Sequence, residues 1–211
     1  MRLRNDFPTA IQNIIFDLGN VLVDLDIPAT IQAFTELRIG GLQPQDIHPH
    51  QTGFFLDYEL GTLSDNAFLS AVRQAYDCAG VEENRIWEAW NAIIPSVDPG
   101  RFRLMEKLDG YRIFVLSNTN SQHISQLDRL FRDATRGEDF ERFFEACFYS
   151  HRMGLRKPGP EIYQSVVRQA GIVPQETLFI DDNACNFSGA SSLYMETYHL
   201  TGEETLFDLF E

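Results

Sequence analysis

Hydrophobic and polar positions along the chain follow two periods. Short apolar runs rich in Ile, Val, Phe and Tyr lie at roughly 12–17, 111–117, 145–149, 177–181 and 195–199, and such runs predict buried strands. Between the later runs the period lengthens to that of a helix. Pro160, the stripe Ile162, Val166, Val167 and Ala170, and then Gly171 give a helix start, an apolar face and a stop in the right order. This alternation predicts an α/β fold, a parallel sheet with helices on both faces.

The interval 27–98 breaks the alternation, with helical patterns and no convincing strand. Ser64 is placed to cap a helix whose apolar face is Phe68, Leu69, Val72, Ala75 and Tyr76, and Trp87, Trp90, Ile93 and Ile94 continue in a second helical stretch. The chain therefore divides into a core of residues 1–26 and 99–211 and a helical insert of residues 27–98, with turn signals near Pro28 and at Asp98-Pro99-Gly100. The run 127–144 alternates charges and reads as a solvated surface.

A chain of 211 residues, 44 % apolar, buries a real core. It contains no apolar run long enough to span a bilayer and no leader-like start, so a soluble, cytoplasmic protein is expected, as monomer or homodimer. The formal charge of −14 argues against nucleic acid and anionic membranes as partners. It leaves room for a small anionic substrate, because a metal ion and one lysine make a positive pocket locally. Cys78, Cys147 and Cys185 form neither a zinc pattern nor a disulfide framework and read as reduced packing residues. His48-Pro49-His50 has no third ligand in reach by sequence and reads as loop.

Candidate chemistry sits where the predicted strands stop. The first ends at Asp17, the second at Ser117 and Asn118, and the fourth at Asp181 and Asp182. In open parallel sheets, ligands bind outside the carboxyl ends of the strands, so these groups converge on one crevice. Lys157, just ahead of the helix at Pro160, is placed to join them. Carboxylates from two strands suit Mg2+, which also keeps waters and contacts substrate phosphate. A hydroxyl, an amide and an ammonium give the remaining phosphate oxygens their donors, and the set fits phosphoryl transfer, with Asp17 able to attack phosphorus. Two adjacent acids, Asp181 and Asp182, repel each other unless a cation is near.

FDLGNVLVD, VLSNTN, GLRKPGPEIY and FIDDNACN, in this order and spanning nearly the whole chain, resemble the four motifs of the haloacid dehalogenase-like (HAD) superfamily. The resemblance is to the branch with a helical, C1-type cap after the first motif. Within it the motifs look closest to sugar-phosphate phosphatases such as the bacterial alpha-glucose-1-phosphate phosphatase. The resemblance implies a Rossmann-like core with the first strand between the second- and fourth-motif strands, and a mobile cap. It further implies that Asp17 is the phosphorylated nucleophile and a magnesium ligand. Gly19, through its carbonyl, and Asp182 would complete the protein ligands, with Asp181 behind them. Ser117 and Asn118 would bind the phosphoryl group, Lys157 would neutralise Asp17 and phosphate, and Asn186 would support the metal site from outside.

One departure from the family pattern stands out. Most of its phosphatases place a second Asp, the general acid and base, where this chain has Gly19. General acid catalysis contributes about 10² to 10⁴ in rate, so its loss calls for compensation. A good leaving group, as in glycosyl 1-phosphates or acyl phosphates, is one, and hydrolysis of the phospho-aspartate is then expected to be slow. Asp24 and His123 are candidate substitute acids, and Tyr58, Glu59 and Trp87 are candidate sugar contacts. The reading is a magnesium-dependent phosphatase of small phosphorylated metabolites, sugar phosphates such as glycosyl 1-phosphates, acting through an aspartyl-phosphate. The alternatives are a metal-independent haloacid dehalogenase-type hydrolase and a catalytically weak phosphate-binding protein.

Overall fold

Strands form where the apolar runs predict them. The computed structural model describes residues 1–4, 7, 11–39, 41 and 53–211; the His48-Pro49-His50 run lies outside them. Among the described residues the strands are β1 (Asn13–Phe16), β2 (Arg112–Ser117), β3 (Ala146–Tyr149), β4 (Thr177–Asp181) and β5 (Glu196–His199). They build one parallel sheet in the order β3-β2-β1-β4-β5, which puts β1 between β2 and β4 as expected. Ile15 pairs with Phe114 on one side and with Phe179 on the other.

Alternation along the strands sorts side chains to two faces. Ile14, Phe16, Val115, Leu178 and Ile180 point into one hydrophobic core, and Ile15, Phe114, Leu116 and Phe179 into the other. Central parallel strands are covered on both sides, so they read as unbroken apolar runs. The second core is closed by α8 (Pro160–Ala170) through Ile162, Tyr163 and Val166, and by α9 (Phe187–Ser191). α8 ends at Gly171, whose φ of +61 suits glycine.

The insert between β1 and β2 contains α1 (Ile27–Glu36), α2 (Gly53–Glu59), α3 (Asp65–Ala75) and α4 (Glu83–Asn91), followed by α5 (Pro99–Met105). The turn signals at its edges are helix starts. Asp26 accepts from the Ala29 amide at 2.9 Å with Pro28 in the first turn, and Asp98 accepts from the Gly100 amide at 2.8 Å with Pro99 opening α5. Capping by a short acidic side chain and proline's fixed φ explain why one pattern serves for turn and helix start alike. Phe55, Tyr58, Phe68, Trp87 and Trp90 form the aromatic centre of the insert, with Tyr58 stacked on Phe68 at 4.1 Å.

The run 127–144 is only half the solvated surface that its charges suggest. It falls on α6 (Ser121–Thr135) and a following 3₁₀ turn, where Leu127, Phe131, Phe140 and Phe143 are buried around Phe102. Charges such as Arg132 and Asp128, 2.7 Å apart, occupy the outer face. Among the described residues no helix is long and apolar enough to cross a membrane.

Candidate active site

The sheet order delivers Asp17, Ser117 and Asp181 to adjacent strand ends, and Asp182 follows at once. Lys157 lies beneath them, 1 % exposed, with its ammonium 2.9 Å from Asp17 Oδ1 and 2.7 Å from Asp181 Oδ2. A buried ammonium is tolerated when paired and hydrogen-bonded, and here two carboxylates hold it. Burial works to lower the Lys157 pKa, and Asp17 and Asp181 outweigh it, leaving the group above the ordinary lysine value.

The two carboxylates differ in what remains open to a ligand. Asp181 is fully buried and accepts from Lys157, from the Asn183 amide at 2.8 Å and from the Asn186 side chain at 3.0 and 2.9 Å. Its oxygens are committed to holding the lysine and the following turn. Asp17 accepts from its neighbour's amide, Leu18 N, at 2.7 Å and faces a cavity of about 220 Å³. Burial, with Asp181 and Asp182 adding to it against the pull of Lys157, pushes the Asp17 pKa up to about 7. Asp182 is also raised, first by burial and then by Asp181, although Asn20 Nδ2 donates to it at 2.9 Å.

One carboxylate oxygen from each of Asp17, Asp181 and Asp182 lies within 4.8 Å of the others. One lysine does not balance three acids, and a divalent cation with hard oxygen preference suits the remainder. Asp17 and Asp182 are the members with oxygens to offer, since those of Asp181 are taken.

Each predicted residue has a definite position. Ser117 is buried at the end of β2 and lines the cavity. Asn118 lines it too, yet its side-chain amide forms a reciprocal pair with the Lys157 backbone, donating to the carbonyl at 3.0 Å and accepting from the N–H at 2.9 Å. Gly19 lines the cavity beside Asp17. Asp24 is turned away from it, gripping Arg101 at 2.7 and 3.0 Å on a separate groove. His123 lines the cavity with both ring nitrogens engaged. Asn120 Oδ1 accepts from the His123 backbone, so its Nδ2 faces and donates to Nδ1, and Nε2 carries the proton toward the Trp90 carbonyl at 3.3 Å. Tyr58 is held by Asp65 and Ser121, and Trp87 bonds Glu83. Cys78, Cys147 and Cys185 are free thiols, and Cys185 is exposed at the cavity rim rather than packed.

Two contacts went unread in the sequence, although Glu59 was read as a candidate sugar contact. Asn20, in the left-handed region at φ +52, bridges the first motif to Asp182. Glu59 of α2 meets Arg156 at 2.8 Å in the cavity wall, joining insert to core. The Arg-Lys dipeptide before Pro158 was the one local signal for that pair.

Comparison with known proteins agrees with this fold. A family profile described as haloacid dehalogenase-like hydrolase matches residues 11–192. The D-ribitol-5-phosphate phosphatase of Bacteroides thetaiotaomicron is 31 % identical over 199 residues, covering 89 % of this chain and 91 % of the relative. A HAD-family enzyme of the same organism, solved with magnesium and inorganic phosphate, superposes with a TM-score of 0.86 at 32 % identity, over 95 % of this chain and all (100 %) of that one. A HAD-like hydrolase of Porphyromonas gingivalis gives a TM-score of 0.84 at 29 % identity, over 95 % and 96 % of the two chains.

Proposed function

From the premise that this chain belongs to the haloacid dehalogenase-like hydrolases, we propose that it is a magnesium-dependent phosphatase of small phosphorylated metabolites. The observation that carries the reading is Asp17 at a cavity wall, with Lys157 at 2.9 Å and Asp182 beside it. Sugar and polyol phosphates, glycosyl 1-phosphates among them, are the substrates assigned. The relative named for D-ribitol 5-phosphate and the polar groups lining the cavity support that class.

Residue roles follow from position. Asp17 attacks phosphorus and becomes an aspartyl-phosphate, a role that its buried, partly charge-balanced setting favours. Lys157 offsets the charge of Asp17 and of the phosphoryl group, and Asp181 with Asn186 fixes the lysine. Ser117 and the Asn118 segment hold phosphoryl oxygens, while the Asn118 amide keeps the Lys157 loop in place. Asp17, Asp182 and the Gly19 carbonyl would hold magnesium, with Asp181 behind them. Bound there, the ion neutralises phosphoryl oxygens and orients the phosphate. Helices α1 to α4 serve as the cap, which walls the cavity through Glu59 of α2 and through Ile93 and Ile94 just after α4 and excludes water from it.

The test is phosphate release from sugar, polyol, acyl and alkyl phosphates with magnesium, alongside Asp17→Asn and a chelator. Turnover abolished by either treatment supports the assignment. Chelator-insensitive halide release from a 2-haloacid would instead establish the dehalogenase chemistry, and tight phosphate binding without turnover a binding protein.

A further inference from the structure

Gly19 leaves the site without the second acid that phosphoryl transfer to and from an aspartate ordinarily uses, and the proton-handling groups around the cavity can be taken in turn. Lys157 is fixed between Asp17 and Asp181. Arg156 keeps its proton at any working pH. His123 has both ring nitrogens engaged, by Asn120 and by the Trp90 carbonyl. Asp24 faces another groove and is paired with Arg101. Cys185 lies at the exposed rim beside Asn183 and Asn186. Among the described residues, Glu59 is the carboxylate lining the cavity besides Asp17.

Glu59 is also held with care. It is 6 % exposed, at the last position of α2. Ser150 Oγ donates to its backbone carbonyl at 2.8 Å, anchoring it to the core. Two residues on, Gly61 at φ +70 passes so close to the His151 carbonyl that a Cβ would stand 2.0 Å from its oxygen. Only glycine permits that approach, and it presses the end of α2 onto α7 (Ser150–Met153), the short helix just ahead of the loop carrying Arg156 and Lys157. The carboxylate faces the Arg156 guanidinium at 2.8 Å, with Lys157 the next cation.

Resting on the phosphatase reading above, we propose that Glu59 is the proton-transfer residue of this site, in place of the acid absent at position 19. In the first step Asp17 attacks phosphorus and the bond to the leaving group breaks. The electron pair goes to the leaving oxygen, which takes the Glu59 proton. In the second step water attacks the same phosphorus and Glu59 takes one of its protons. The bond to Asp17 breaks, its electron pair returns to the carboxylate, and Glu59 ends protonated as it began. Its surroundings suit both duties: burial raises its pKa above the ordinary glutamate value, while Arg156 and Lys157 keep the carboxylate form within reach.

The deciding experiment is rapid-quench kinetics of Glu59→Gln, with a primary alkyl phosphate and with acetyl phosphate. Acetate leaves without a proton and a primary alkoxide does not. Turnover of the alkyl phosphate is expected to fall about 10²-fold or more. Acetyl phosphate should still phosphorylate Asp17 at near the wild-type rate, and the phosphoenzyme should then accumulate because its hydrolysis is slowed. The limb of the pH profile due to Glu59 should vanish. A variant with kcat within about threefold of wild type and no accumulation overturns the proposal. So does a raised KM with kcat unchanged, which would make Glu59 a leaving-group contact. Failure of acetyl phosphate to label the variant would make it a structural residue and overturns it equally. Absence of turnover in the wild-type protein is a different result and removes the phosphatase reading itself.

Discussion

The missing acid has a steric counterpart one turn along the chain. A Cβ built on Gly19 would stand 2.7 Å from Leu25 Cδ1, inside van der Waals contact. The φ of Gly19 is not in the left-handed region, so a side chain there meets a spatial limit, the Leu25 methyl, and not a backbone one. Its neighbour Asn20 takes the left-handed turn at φ +52, which asparagine tolerates better than most residues. Gly19→Ala is therefore expected to destabilise by overpacking, near the low end of the usual range at about 1 kcal/mol, because a leucine methyl can swing aside. Leu25→Ala should relieve it, and thermal melts of the two single variants and the double should show coupling above about 0.5 kcal/mol. Additive melts would mean that Leu25 does not set the limit. The sequence displayed the anomaly at Gly19, but the close approach of Leu25 to it needed the geometry of the intervening turn.

Helix ends are decided locally, which is why the starts at Ser64 and Pro160 and the stop at Gly171 were legible. How the insert docks on the core was not, because its contacts come from segments far apart in sequence. Asp65, the first residue of α3, accepts from Tyr58 Oη at 2.9 Å, from Gln122 Nε2 at 2.7 Å and from Ser121 Oγ. Ser121 and Gln122 open α6, directly after the Ser117–Asn120 loop, so this carboxylate ties the insert to the loop lining the cavity. Partial burial raises its pKa, and the hydrogen bonds from Ser121, Gln122 and Tyr58 outweigh that and hold it below 3.8. A depressed carboxylate pKa stabilises the fold above the unfolded value and ceases to do so as pH falls through the folded one. Asp65→Asn should thus cost about 1–3 kcal/mol at pH 7, a penalty that shrinks once pH drops below 3.8. Urea midpoints at neutral and acid pH measure it, and a penalty independent of pH would show that the charge of Asp65 contributes nothing. Trp90 stacked on His123 at 5.0 Å reinforces the same junction from α4. The aromatic residues of the insert were visible in the sequence as a helical stripe, but which of them pack and which line the cavity depends on this docking.

At the scale of the whole molecule the sheet order was the inference that carried furthest. Polar residues directly after apolar runs are readable without coordinates, whereas which strands lie side by side was implied by the family resemblance and is matched by the order β3-β2-β1-β4-β5. Charge balance is the property that only the assembled molecule has. An acidic chain of formal charge −14 concentrates Asp17, Asp181 and Asp182 within 4.8 Å around one buried lysine. Folding thus brings like charges together in a poorly solvated place, and a ligand that neutralises them only in the native state must stabilise it. At a concentration 100-fold above its dissociation constant, magnesium should add about 2.7 kcal/mol. For a domain of this size that corresponds to a rise of about 5–10 °C in Tm, reversed by chelation. Asp182→Asn should lose most of the rise while unfolding cooperatively, because this residue is partly exposed and leaves the Lys157–Asp181 pair intact. Calcium, which accepts longer and more irregular oxygen ligation, should give the smaller shift. If neither ion moves Tm in the wild-type protein, the acidic cluster is balanced by Lys157 alone and the site is not a cation site.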